Sequence, residues 1–193
     1  MIDIIHINPD STQPMCVFGV VMNEAGVKIE NEMVAWLRNH YHVIEVRHDG
    51  THYEQPALRY MQNLCKDTGR PCLYVHTKGA YNKPTRSGRI RRMWRDEFVG
   101  KQQLYFDIVE QSNAPCVATP FTGEDRLTRY NGFVANAAAM KAIPDIVPND
   151  DRMVFERIFA NNKNIKIVGV CLNNVTGDTL KHTAHLYLSN YYS

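Results

Sequence analysis

The stretch CLYVHTKGAYN, residues 72–82, places several reactive groups in immediate succession. His76 brings an imidazole that moves a proton or, once protonated, binds an anion. Thr77 adds a hydroxyl, Lys78 an ammonium, and Gly79 a backbone that a ligand can approach closely. A run of cations follows: Lys83, Arg86, Arg89, Arg91, Arg92 and Arg95. Guanidinium groups bind phosphate bidentately, and a helix starting near Arg89 aims its amino end at the same region. The span reads as a phosphate site, with a solvated helix face as the plainer alternative. It is not a Walker loop, because G-x-x-x-x-G-K-[ST] is absent.

Proton abstraction calls for a carboxylate, and two segments supply them. Glu54 stands just before Pro56 in YEQPALRYM, and Asp150, Asp151 and Glu156 stand in NDDRMVFER. Arg152 and Glu156 are four apart and share a helix face, so an ion pair is the plain reading there. No Ser-His-Asp, Cys-His or nucleophile-elbow pattern is present, and no covalent nucleophile is expected. The other histidines (His40 and His42, His48 and His52, His182 and His185) never form H-E-x-x-H. Most read as surface or hydrogen-bonded residues, with metal binding the lesser alternative.

These groups need a scaffold. Continuous apolar runs rich in Val and Ile over residues 2–7, 15–22, 42–47, 72–76, 116–119 and 165–171 predict strands covered on both faces. Helical spacing predicts helices over 27–41, 56–66, 90–110 and 150–160, the second opening with a tolerated proline and the last capped by Asn149 or Asp150. The alternation predicts one α/β domain spanning residues 1–193, with a mostly parallel central sheet and helices on both faces. In open sheets of this kind ligands bind beyond the carboxyl ends of the strands, where 76–79 would stand.

The bulk composition narrows the function classes. The chain of 193 residues is 44% hydrophobic and 22% charged, the profile of a folded soluble domain. A formal net charge of +2 announces neither nucleic acid nor membrane, so partner preference rests on local charge. No apolar run reaches the length of a membrane span, and the first residues lack the pattern of a signal peptide. Cys16, Cys65, Cys72, Cys116 and Cys171 are odd in number and never spaced C-x-x-C. Their apolar neighbours make them small buried hydrophobes, in keeping with a reducing cytoplasm.

Three separated pieces, in order, carry a family resemblance. YEQPALRYM resembles the E-x-P-x-L segment of a group of microbial glycosyltransferase-like proteins. LYVHTKGAYN followed by MWRDEFV is similar to their strand LYxHTKG and the tryptophan–arginine pair on the next helix. A related H-T-K with a following W-R occurs in the rhamnan synthesis protein F family of polysaccharide-building enzymes. YNGFVANAAAMKAIPDI with DRMVFERIF resembles the closing pattern of a glycine–asparagine turn, an aromatic strand, a helix ending near proline and then R-x-x-x-E.

The resemblance covers roughly residues 50–160 and implies a GT-A-like, Rossmann-related fold that moves a sugar from a nucleotide-sugar donor to a glycan acceptor. It implies donor binding by His76, Thr77, Lys78, Gly79, Arg95 and Glu54. Glu156, with Asp151 as second choice, becomes the acceptor-side base, and Asn131, Gly132 and Phe133 lie on the acceptor side. The usual metal-holding D-x-D is replaced by His76-Thr77-Lys78, which implies cation-assisted departure of the nucleoside diphosphate without a metal cofactor. One departure is clear: a second aromatic residue is missing after the turn, which implies an altered acceptor pocket. The competing reading is a non-enzymatic nucleic-acid or nucleotide-binding module using the basic span 78–101. Interleaved stacking aromatics are sparse there, so nucleic acid is not the expected partner.

Overall fold

A computed structural model describes residues 2–6, 12–21, 32–76, 94–128, 132–149, 151 and 153–175. Thr77, Lys78, Gly79, Lys83, the loop arginines, Asn131, Asp150, Arg152, His182 and His185 lie outside the described residues. The elements in chain order are β1 (Asp3–His6), β2 (Met15–Val21), α1 (Glu32–His40), β3 (His42–His48), α2 (Gln55–Thr68) and β4 (Cys72–His76). A π-helix (Trp94–Val99) follows, then α3 (Gln102–Glu110), β5 (Cys116–Gly123), β6 (Phe133–Ala135), α4 (Ala137–Ala142), α5 (Met153–Glu156) and β7 (Lys166–Val175).

The strands form one seven-stranded sheet in the order β1-β3-β2-β4-β6-β5-β7. β2 pairs in parallel with β3 and β4, and β5 with β7, whereas β1 and β6 run against their neighbours. The expected α/β architecture is present, but the sheet is mixed. Most strands share a direction, yet β6 separates the two parallel groups. At three residues, β6 is too short to register as an apolar run by itself.

Side chains alternate across each strand and so build two cores. On one face Phe18, Leu73, Val75, Ala118 and Val134 pack against α1, the π-helix and α3 through Leu37, Trp94, Phe98 and Phe106. On the other, Val17, Cys72, Tyr74, Val117 and Phe133 pack against α2, α4 and α5 through Leu58, Met61, Met140 and Phe155. Helices therefore cover both faces. Each fully buried side chain such as Leu58 contributes about 1.5–3 kcal/mol by leaving water. Glu45 is buried on β3, where Arg38 and Arg47 donate to its two oxygens at 2.6 and 3.1 Å and so offset its desolvation.

α2 opens with Pro56, whose missing N–H costs nothing in a first turn, and stops at Gly69. Gly69 adopts φ 68°, the left-handed conformation that closes a helix, and donates its N–H to the Cys65 carbonyl. The single helix expected over 90–110 is instead divided. The Gly100 N–H reaches the Arg95 carbonyl at 2.7 Å, five residues back, and a Cβ on Gly100 would stand 2.6 Å from the Asp96 carbonyl oxygen. Only glycine permits that turn, so the helix is π-wound up to it and starts again at Gln102.

The helix expected over 150–160 is also shorter, a single turn at Met153–Glu156. Its cap is Asp151, which accepts the Met153 N–H at 2.9 Å, while Asn149 accepts the Asp151 N–H. The cysteines are free, and all but Cys171 are buried, as apolar neighbours predict. No helix among the described residues is long and apolar enough to cross a membrane.

Candidate functional site

β4 sits in the sheet interior between β2 and β6, buried from Cys72 to Val75, and ends on half-buried His76. The register pairs Gly19 of β2 with His76. An added Cβ at Gly19 would lie 3.2 Å from the Ala57 Cβ, 3.5 Å from the Tyr74 hydroxyl and 3.7 Å from the His76 Cβ. The glycine thus lets the first turn of α2 settle against the end of β4. That docking brings Glu54, the residue preceding α2, to His76. The Glu54 Oε1 and His76 Nε2 atoms are 3.9 Å apart, with side-chain exposures of 9% and 12%.

Two aromatic rings flank the imidazole. Trp94 meets it edge to face with ring centroids 5.4 Å apart, and the Tyr74 ring lies nearly parallel to it at 6.1 Å. The row continues through Phe133, 5.4 Å from Tyr74, to Phe159 at 5.0 Å from Phe133. Gly132 makes room for Trp94, since a Cβ there would stand 3.2 Å from the indole Nε1. The Gly132 carbonyl is fixed by the Thr119 hydroxyl at 2.9 Å.

Burial pushes the Tyr74 phenol well above its usual range, and the Glu54 charge acts in the same direction. The phenol therefore stays protonated. Both Tyr74 Oη and Trp94 Nε1 are buried without a hydrogen-bond partner among the described residues.

Farther along the same sheet edge, His48 ends β3 and its Nδ1 accepts the Gly50 N–H at 3.2 Å. Burial lowers its pKa, with partial opposition from the Asp49 charge. An imidazole that accepts through Nδ1 is neutral and carries its proton on Nε2. In the same loop Thr51 donates its hydroxyl and N–H to Asp49, which holds that exposed carboxyl down at about 2.

Of the residues expected to act together, the structure joins Glu54, His76 and Gly132 around Trp94, with Phe133 one ring further along the row. Trp94 is fully buried, a core residue and not an open stacking platform. Arg95 follows it on the π-helix and donates to its neighbour Asp96 at 2.6 Å. Lys101 pairs with Glu97 one turn back. The described part of the basic span therefore carries carboxylates beside its cations.

Glu156 ends α5, and its carbonyl accepts the N–H and hydroxyl of Thr128 at 3.1 and 3.3 Å. Its neighbours Phe155 and Arg157 line a separate groove of about 670 Å³ whose apolar wall includes Ile143, Ile146, Val154 and Ile158. That groove lies beside the later turns of α2, where Gln62 holds the Pro144 carbonyl at 3.0 Å and Lys66 pairs with Asp145 at 2.7 Å. Eight residues of helix, roughly 12 Å, separate Gln62 from Glu54.

Two members of the cluster escape a reading of the motifs alone. Tyr74 precedes His76 by two and so shares its face of the strand, a period-two signal that the sequence does contain. Gly19 interrupts a run of large residues in MCVFGVV, which marks a close approach in a strand. Among the described residues no three His, Cys, Asp or Glu side chains gather as a metal-ligand set. No family model matches the chain, and neither a curated protein nor a solved structure matches it significantly.

Proposed function

We propose that this chain is a glycosyltransferase-like protein with a GT-A-like fold, binding the diphosphate of a nucleotide-sugar donor beyond the end of β4. One observation carries the reading. Glu54, His76, Trp94 and Gly132 come from three sequence pieces that the resemblance links in order, and their side chains or backbone meet at one place. A shared site explains why the resemblance links such distant motifs, and packing alone explains Trp94 but not a buried carboxylate facing an imidazole.

In this reading His76 and Lys78 face the diphosphate, and Arg95 adds charge as the leaving group departs. Gly79 and Thr77 offer backbone and hydroxyl donors. Glu156 takes the proton of the acceptor hydroxyl, with Asp151 as the alternative, and Asn131, Gly132 and Phe133 border a glycan acceptor. Fixed cations replace the metal.

The test is a thermal-shift screen against nucleoside diphosphates and their sugar conjugates, with and without manganese, followed by calorimetry on variants. Lys78→Ala is expected to weaken binding of the best nucleotide by about 1.5–3 kcal/mol, and Lys83→Ala by about 1 kcal/mol or less. Glu156→Gln is expected to bind the donor normally and to abolish transfer. Binding that vanishes with chelator yet survives Lys78→Ala overturns the reading.

A further inference from the structure

The groove beside α2 is a second concave site, lined by two stretches of chain. The first runs from Ala142 to Asn149 and the second from Val154 to Lys163. Its floor is apolar: Ile143, Ile146 and Phe155 are buried, with Val154 and Ile158 half-buried beside them. Val147, 60% exposed, continues the apolar surface to the rim. The volume of about 670 Å³ falls within the range of about 300–1,000 Å³ usual for sites of small organic ligands.

Polar side chains hold this shape. Gln62 is buried, and its amide nitrogen donates to the Met140 and Pro144 carbonyls at 3.2 and 3.0 Å. Its oxygen accepts the Ile146 N–H at 3.0 Å. Asn162 donates to the Ala142 carbonyl at 2.8 Å and so ties the second stretch to the first. Arg126 donates in turn to the carbonyls of Asn162 and Ile165 at 3.0 and 2.6 Å. These bonds fix the backbone of both stretches, and what an occupant meets is mostly apolar side chain.

The charge beside that apolar surface has one sign to offer. Asp145 is the single carboxylate among the lining residues; Lys66 pairs with it at 2.7 Å, and the Arg59 charge acts on it in the same direction. Arg157 and Lys163 are exposed, and neither forms an ion pair or side-chain hydrogen bond among the described residues. A guanidinium meets a carboxylate through two parallel bonds, and an ammonium meets it as a point charge. The lining holds one aromatic ring, Phe155, and it is buried. The matching body is therefore an aliphatic chain and not a stacked ring.

We propose that this groove binds an amphipathic monoanion, an aliphatic carboxylate whose chain lies along Ile143, Ile146, Val154 and Ile158 and whose head meets Arg157 and Lys163. Burial of methylenes supplies the affinity, and the two cations select the sign of the head. The groove shares no residue with the cluster at the end of β4, so this site neither needs nor tests the glycosyltransferase reading.

Titration of the full chain with decanoate, below its micelle concentration, tests this through the isoleucine methyl spectrum. The methyls of Ile143, Ile146 and Ile158, each assigned by its Ile→Val variant, are expected to shift with one common Kd. Ile44, buried on β3 away from the groove lining, should hold still. Affinity should rise from hexanoate through octanoate to decanoate by up to about fourfold per methylene. Decanol should bind about fivefold more weakly than decanoate, and decylammonium more weakly still. Arg157→Gln combined with Lys163→Gln is expected to erase the preference for decanoate over decanol. Both side chains are exposed, so urea unfolding of that double variant should match the parent. Three results overturn the proposal: no shift of the groove methyls, decanol binding as well as decanoate, or a preference that survives the double variant. Shifts of the same methyls with protein concentration alone would give the groove to a second copy of the chain and overturn it equally.

Discussion

At the amino edge of the parallel strands Asn136 engages its whole amide, whereas at the carboxyl edge the Tyr74 hydroxyl and Trp94 indole N–H have no partner among the described residues. The Asn136 carbonyl oxygen accepts the Ala139 N–H, capping α4, and also the Cys116 N–H where β5 begins. Its amide nitrogen donates to the carbonyls of Val109 and Ala114. One side chain thus ties together the end of β6 and the starts of α4 and β5. Gln62 does similar work in α2, donating to three carbonyls and accepting the Ile146 N–H. Buried polar groups are normally satisfied, so Asn136 and the Tyr74–Trp94 pair stand at opposite ends of that rule. The amino edge is tied down around Asn136, although the Tyr41 hydroxyl just before β3 also lacks a partner among the described residues, and the carboxyl edge carries its local cost beside His76.

The largest expected effect lies at the amino edge. Asn136→Ala removes a helix cap and leaves the Cys116 N–H and two carbonyls without their partner, which predicts a loss of about 2–4 kcal/mol in urea unfolding. Affinity of the folded fraction for pyrophosphate should stay unchanged. Unaltered stability would break the contrast between the edges at its firmer side.

Gly132→Ala comes next and sharpens the contrast from the site side. The new methyl would meet the Trp94 indole and the Phe98 ring at 3.2 Å, both fully buried and unable to retreat. Overpacking of this sort predicts a loss of about 1–3 kcal/mol. Here stability and anion affinity should fall together, because the displaced Trp94 is in contact with His76. Indole fluorescence in a Trp36→Phe background reports the displacement. A variant destabilised to that extent with full affinity would uncouple Trp94 from the site.

How much of this the sequence made legible follows from the range of each interaction. β4 matches its expected bounds, because continuous burial on both faces writes itself into a continuous apolar run. The expected strands are all present, with ends shifted where polar residues such as Thr122 and Gly123 extend β5 beyond its apolar part. The π-helix break was written only as Gly100, whose meaning depends on a carbonyl 2.6 Å from its absent Cβ. β6 is held in place by its neighbours on both sides, so its three residues carry little signal of their own.

For the site, residue types at a strand end pointed to His76, and family resemblance pointed to Glu54. Their meeting was not written locally. It depends on Gly19 of a third segment admitting Ala57, a long-range fit that no spacing rule encodes. The same limit applies to Glu156, whose motif position says nothing of the groove beside its neighbours.

The smallest expected effect tests the carboxyl edge most directly. Tyr74→Phe deletes one oxygen and keeps the ring, with its contacts to Phe133 and His76. A buried hydroxyl that makes no hydrogen bond has lost its water and gained nothing in return, so removing it relieves a desolvation cost. The variant should therefore unfold within about 0.5 kcal/mol of the parent, on the stabilising side, where removal of a well-bonded buried group costs about 1–3 kcal/mol. Urea unfolding of the two proteins measures the difference. A loss above about 1 kcal/mol would mean that the hydroxyl is strongly bonded. The two edges would then obey the same rule, and the tolerance for local cost around His76 would have no basis.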